Sequence, residues 1–239
     1  MSACLSRVSV RSAPEPLHPW QSVTLHSGLV LHGPVDIACD AETLTAQFDR
    51  LDASAGEEAR TCFGSIDGSW TAMALMERDG MGAGKPTPLL AEMPMVSDLI
   101  SRLPAVVRGV HILRQGPRGL LDWHFEAQAI HHEECRVLVP VHAPAGAVTL
   151  LGHQAVAYAE GQPWAGDFAF PHRVENPGDT QRIVLALDMQ SSPALARLLP
   201  PGLGAETKRR AALATEACNA LLAWRWAGQR ADVLTPGTA

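Results

Sequence analysis

The sequence predicts a mainly β protein, a double-stranded β-helix of the jelly-roll, cupin-like kind with flanking helices. Two observations predict it. From Val106 to Asp188 apolar runs are split by Gly or Pro about every ten residues, the rhythm of an all-β barrel or sandwich. Helical spacing is confined to the segments on either side. At 239 residues the chain is long enough to bury a sizeable core and ordinary for a one-domain barrel.

The elements follow in order. Residues 1–19 read as a loose N-terminus, lacking the 7–15-residue apolar stretch of a secretory signal. Residues 20–38 alternate apolar and polar around Gly28 and Gly33-Pro34 and predict edge strands. Leu44, Phe48 and Leu51, spaced four and three, predict an amphipathic helix from Ala41 to Leu51. A loop follows to Arg60. The Gly- and Pro-rich segment Asp79 to Pro88 reads as a flexible connection or lid, and Met95 to Leu103 as a short helix stopped before Pro104. Val106 to Leu121 reads as strand, turn (Gln115 to Gly119) and strand; Arg182 to Asp188 is an apolar strand. Ala205 to Gly228 predicts a helix with Gly228 as its stop. The expected organisation is a jelly-roll domain over 20–190 with a C-terminal helical segment, 191–239, packed on it.

Composition excludes several classes. The net charge of −6 is scattered, with no basic stripe of the kind nucleic acid requires. No run of 18 apolar residues is present, so no transmembrane helix is expected. The five cysteines (4, 39, 62, 135 and 218) are odd in number and contain no Cys-x-x-Cys, against a disulfide framework or a cysteine zinc site. A reducing cytoplasm is the expected compartment, and Cys135 the expected small buried hydrophobe.

The chemistry concentrates in His124-Phe125-Glu126, with His172 and then Arg182 further along. A His-x-Glu pair on an extended strand presents both side chains to one face, because side chains alternate with period two. His172 closes the triangle if its segment pairs with the first. Two imidazoles and one carboxylate leave three positions of an octahedral ion open, the arrangement of non-heme Fe(II) oxygenases. Arg182 opens an apolar strand, and a guanidinium there implies an anionic partner. An ion pair with Asp167 or Asp188 is the structural alternative.

These residues then show a resemblance. Trp164-Ala165-Gly166-Asp167-Phe168, Pro171-His172-Arg173-Val174-Glu175-Asn176 and Gln181-Arg182-Ile183-Val184-Leu185 look like the aspartyl/asparaginyl β-hydroxylase family of Fe(II)/2-oxoglutarate-dependent oxygenases. Cys135 to Val141 resembles the family's arginine-bearing strand, and Gly68 to Leu75 an early strand. The spacing is most similar to the bacterial proline cis-hydroxylases. The resemblance spans roughly residues 60–190 and departs from the family in one ligand, since the family's small-molecule hydroxylases carry His-x-Asp where this chain has Glu126.

The resemblance implies a hydroxylase that acts on an unactivated C–H of a free amino acid or related small carboxylate, with Fe(II), 2-oxoglutarate and O₂, giving succinate and CO₂. It implies His124, Glu126 and His172 as metal ligands, and Arg182 and Arg136 as cosubstrate-binding residues. The alternatives are a carrier-bound or peptidyl Asp/Asn substrate, or a non-oxygenase metal-binding cupin. Arg108, Arg114 and Arg118 are candidate partners for a substrate carboxylate. Trp123 and Phe125 are expected in core packing, Asn176 in satisfying turn backbone, and His131-His132 in a solvated loop rather than a second metal site.

Overall fold

Two antiparallel sheets face each other, and strand alternation decides what lies between them. The computed structural model describes residues 16–62 and 70–234. Residues 1–15 of the expected loose terminus, and Gly68-Ser69 of the expected early strand, lie outside the described residues. The larger sheet contains β1 (His32–Pro34), β2 (Thr61–Cys62), β3 (Trp70–Glu77), β4 (Lys85–Pro86), β5 (Val107–Gln115), β7 (Glu134–His142), β10 (Trp164–Gly166) and β12 (Arg182–Gln190). Its order is β1-β10-β7-β12-β5-β3-β2, with β4 on β3. The smaller sheet contains β6 (Leu120–His124), β8 (Val148–Leu151), β9 (Gln154–Val156) and β11 (His172–Glu175), in the order β6-β11-β8-β9. This is the expected jelly roll.

Alternation on β12 and β7 sorts side chains between two cores. Ile183, Leu185, Leu187 and Met189, with Cys135, Val137, Val139 and Val141, join an outer core. That core is closed by the buried faces of α2 (Ala41–Ser54) and α4 (Pro94–Arg102), with Leu90 of the short α3 (Pro88–Ala91) and Leu195 of the short α5 (Pro193–Ala196). Val184, Ala186 and Leu138 join the other core, on the side of the smaller sheet. By the same period of two, Arg136, Arg182 and Asp188 also point between the sheets. The strands therefore deliver three charged groups to the space between the sheets, beside the apolar Val184, Ala186 and Leu138.

Helix α2 starts where Asp40 accepts hydrogen bonds from the backbone of Glu42 and Thr43, an N-cap worth about 1 kcal/mol. The edge strands expected over 20–38 are corrected by α1 (Pro19–Ser27), followed only by the short β1. Pro19 opens α1, Gln21 reaches back to the His18 N–H, and Gly28 closes it in the left-handed region at φ 65°. The buried residues Trp20, Thr24 and Ser27 are spaced four and three, a helical stripe. Trp20 is 0% exposed, and truncating it to alanine should cost about 3–5 kcal/mol.

Two further expectations change. The segment from Asp79 to Pro88 folds back as β4 onto β3, with Gly84 N–H bonded to Val107 O at 2.9 Å, so its end is tied to the sheet rather than free as a lid. A Cβ at Gly84 would sit 2.5 Å from Arg108 O, so only glycine permits that approach. The last helix, α6 (Thr207–Leu234), continues past Gly228. One interior glycine costs a helix only about 1 kcal/mol against alanine, too little to stop a long one. Helix α6 packs beside α1, and Arg225 donates to Trp123 O on β6. Among the described residues no helix is long and apolar enough to cross a membrane.

Candidate metal centre

His124 ends β6 and His172 begins β11, and the two are register partners in the smaller sheet. Glu126 lies just past the strand end, its N–H bonded to Phe168 O at 2.9 Å. The ligand atoms of His124, Glu126 and His172 all lie within 4.8 Å of one another. Metal bonds of about 2.1 Å bring donors to at most about 4.2 Å, so small side-chain movements close the triangle on one ion. The three residues fit a two-histidine, one-carboxylate metal site.

The imidazoles are already in the tautomer a metal needs. His124 Nδ1 lies 2.7 Å from Asp122 O, and His172 Nδ1 lies 3.1 Å from Phe170 O. A carbonyl oxygen only accepts, so each Nδ1 carries the proton and each Nε2 keeps its lone pair. His172 is 3% exposed, and burial, reinforced by His124 beside it, holds its pKa well below the ordinary value. It is neutral at physiological pH, as a ligand must be.

Arg182 stands on β12 between the sheets, and its Nη2 donates to Thr149 Oγ1 of β8 at 3.1 Å. Among the described residues no carboxylate pairs with it. Asp167 is taken by Arg210 at 2.8 Å, and Asp188 by Arg136 at 2.7 Å, which removes the structural alternative for Arg182. Burial lowers the Arg182 pKa to about 10, so the guanidinium stays charged at neutral pH without a counter-ion. It lines a small cavity with Val156, Tyr158 and Trp164. A larger cavity of about 600 Å³ opens among Phe48, Asp49, His142 and Asp179 and includes none of the triad.

Arg136 is close to the triad, but its partners are protein carboxylates. Its Nη1 donates to Glu126 Oε2, while Nε and Nη2 hold both oxygens of Asp188. Burial opposes its charge, yet Asp188 and Glu126 outweigh that and raise its pKa above the ordinary value. Two of its five N–H groups remain for other acceptors. Arg108 pairs with Glu134, Arg114 with Asp52 and Arg118 with Asp179, so each of these candidates already has an anion.

Other expectations are sorted by packing. Trp123 is buried against Trp20, ring centroids 5.4 Å apart, whereas Phe125 is 40% exposed and not in the core. Asn176 donates to Gly116 O and Thr180 O, as turn chemistry predicts. His131 is not solvated: its side chain is 2% exposed and faces Asp167 at 3.5 Å. The free cysteines described, Cys39, Cys135 and Cys218, include the buried Cys135. Sequence reasoning missed Thr149, Arg78 and Arg210; Thr149 carries no local signal, since its role depends on two sheets meeting.

A model of the aspartyl/asparaginyl beta-hydroxylase family matches residues 35–192. No curated protein matches the sequence. Among solved structures, the fold is similar to an oxidoreductase of the 2OG-Fe(II) oxygenase family from Burkholderia pseudomallei. That likeness has a TM-score of 0.50 and 16% identity, covering 77% of this chain and 95% of the other. The carbocyclase SnoK from nogalamycin biosynthesis, described as non-heme and alpha-ketoglutarate dependent, gives 0.49 and 11%, with 77% and 88% covered. With two thirds of its length matched to the family model, and His124, Glu126 and His172 gathered where one metal ion could bind, this chain belongs to the aspartyl/asparaginyl beta-hydroxylase family.

Proposed function

We propose that the protein hydroxylates an unactivated C–H of a free amino acid or related small carboxylate, converting 2-oxoglutarate and O₂ to succinate and CO₂. The observation that carries this reading is Arg182, a buried cation with no carboxylate partner among the described residues, which reaches from the larger sheet to Thr149 on β8, the strand paired with the β11 strand of His172. A dicarboxylate cosubstrate supplies that partner, whereas a metal-binding cupin without cosubstrate has no use for it.

In this reading His124, Glu126 and His172 hold Fe(II) through Nε2, one carboxylate oxygen and Nε2. Arg182 and Thr149 bind the distal carboxylate of 2-oxoglutarate, the guanidinium by charge and the hydroxyl by fixing the fork. When bound, iron and cosubstrate supply the oxidising chemistry; the protein supplies orientation and a dry interior. Trp164, Tyr158 and Val156 exclude water around the cosubstrate's tail. Phe168, whose ring lies 5.0 Å from His172, packs against that ligand.

A small free substrate fits the rim better than a carrier-bound one. An acidic carrier protein favours a basic rim, but the half-exposed Arg78 is already matched by Glu134 and Asp188, and Arg108 is buried against Glu134. The test is anaerobic addition of Fe(II) and 2-oxoglutarate, read as a visible charge-transfer band, followed by a mass-spectrometric screen of amino acids for a gain of one oxygen. Folded, metal-loaded protein that gives no band refutes the oxygenase reading. A band without a hydroxylated amino acid moves the substrate to the carrier-bound or peptidyl class.

A further inference from the structure

We propose that Asp188 and Arg136 form a clamp that fixes Glu126 at the metal centre; this inference rests on the iron-site reading above. Glutamate has one more methylene than the aspartate usual in the family's small-molecule hydroxylases, and so one more torsion to hold. Glu126 also lies outside the β6 ladder, its backbone tied by the bond from its N–H to Phe168 O. A ligand this loosely rooted needs a second anchor if the three donor atoms are to stay converged.

Arg136 is that anchor. Arg136 Nη1 donates to Glu126 Oε2, which leaves Oε1 for the metal. A carboxylate free at both oxygens can bind a metal with both and occupy an extra coordination position. The contact with Arg136 reserves one oxygen and keeps three positions open. Arg136 is held in turn by both oxygens of Asp188, at 2.7 and 3.1 Å. Asp188 and Arg136 are register partners on β12 and β7, so the sheet's backbone ladder sets their separation.

The support extends outward. Arg78 donates to Asp188 at 3.3 Å and pairs with Glu134, which also accepts from Arg108 at 3.1 Å. Glu126, Arg136, Asp188, Arg78, Glu134 and Arg108 thus alternate in sign, three carboxylates and three guanidiniums. Asp188 is 3% exposed, and an aspartate so buried is expensive unless it is paired on both sides. Its pairing with two arginines makes it a rigid strut rather than a liability.

The test is an anaerobic Co(II) titration of the full-length apoprotein, followed by the visible Co(II) spectrum and by calorimetry. Asp188→Asn and Arg136→Lys should each weaken Co(II) binding about 10–100-fold, with circular dichroism and the melting temperature confirming a folded chain. In a Glu126→Asp background the shorter side chain withdraws from Arg136, and Asp188→Asn should then change the affinity little. Wild-type affinity in both clamp variants overturns the clamp. The same loss in both backgrounds also overturns it, because a merely structural effect does not depend on residue 126. Failure of the wild-type protein to bind Co(II) instead overturns the iron-site reading itself.

Discussion

His124 and His172 are register partners across the β6–β11 ladder, with ring centroids 4.1 Å apart. Two protonated rings at that distance repel, and burial adds to the cost, so the pair is stable only when His172 is neutral. Each ring is also pinned through Nδ1 to the carbonyl two residues before it. The sheet thereby prepares two lone pairs facing one point before any cation arrives. The binding energy of the metal is not diverted into ordering them.

His172→Ala should abolish retention of Fe(II), because two remaining protein donors hold the ion weakly. Glu126→Ala should weaken retention as well and leave Arg136 with Asp188 alone. Metal content after anaerobic loading and desalting measures both. Stoichiometric iron in His172→Ala would remove this residue from the ligand set.

Much of this centre was legible in the sequence, for identifiable reasons. His124 and Glu126 are neighbours on one strand, so period-two alternation alone places them together. Arg182 stands out as a charge opening an apolar strand, and His172 as the distant second histidine that closes the triangle once its segment pairs with the first. Thr149 does not stand out, since an ordinary strand threonine becomes a partner of Arg182 only when β8 and β12 face each other. The family resemblance points Arg136 toward a cosubstrate, whereas its ladder position opposite Asp188 gives it two protein carboxylates. Helix α1 is hidden in the sequence because Val23, Leu25 and Leu29 mimic strand alternation, while Pro19 and Gly28 serve as its start and stop signals. A loop histidine such as His131 is ordinarily solvated; here it is buried beside Asp167, which α6 covers with Arg210.

Arg182→Ala should raise the 2-oxoglutarate requirement by the equivalent of about 3–5 kcal/mol, the cost of breaking a buried pair by losing one partner. That corresponds to roughly two to three and a half orders of magnitude in apparent affinity. Thr149→Val should cost about 1.5–3 kcal/mol, one hydrogen bond to a charged fork. Calorimetric titration of 2-oxoglutarate into the metal-loaded protein measures both. An unchanged affinity in Arg182→Ala assigns that residue a structural role.

Arg210→Met should destabilise the fold at neutral pH. Arg210 is 0% exposed and pairs with Asp167 at 2.8 Å, so its loss leaves a buried carboxylate alone, at a cost of about 3–5 kcal/mol. Burial already raises the Asp167 pKa to about 6 despite the arginine, and without it the carboxyl takes up a proton more readily still. The loss measured by urea unfolding should therefore be larger at pH 7.5 than at pH 5.5. An equal loss at both values would mean that Asp167 is not the group left unpaired.

His131→Phe should make stability respond differently to acid. Burial, then His132 and Arg210, lower the His131 pKa to about 4, and both ring nitrogens are buried without hydrogen-bond partners. A folded pKa below the unfolded value of about 6.5 gives stability that is present above about pH 6.5 and lost as pH falls toward 4. Asp167 has the opposite sign. Its pKa, about 6, lies above the unfolded value of about 3.9, so its contribution is full below about pH 4 and lost as pH rises through 6. Between about pH 4 and 6 the two slopes oppose each other in the wild-type protein. Phenylalanine removes the histidine's slope, so the variant should gain on wild type by up to about 1.4 kcal/mol per pH unit as pH falls from 6.5 toward 4.5. Urea midpoints at pH 7.5, 6.0 and 5.0 measure that gain; a difference that stays constant with pH means that His131 does not titrate abnormally in the folded state.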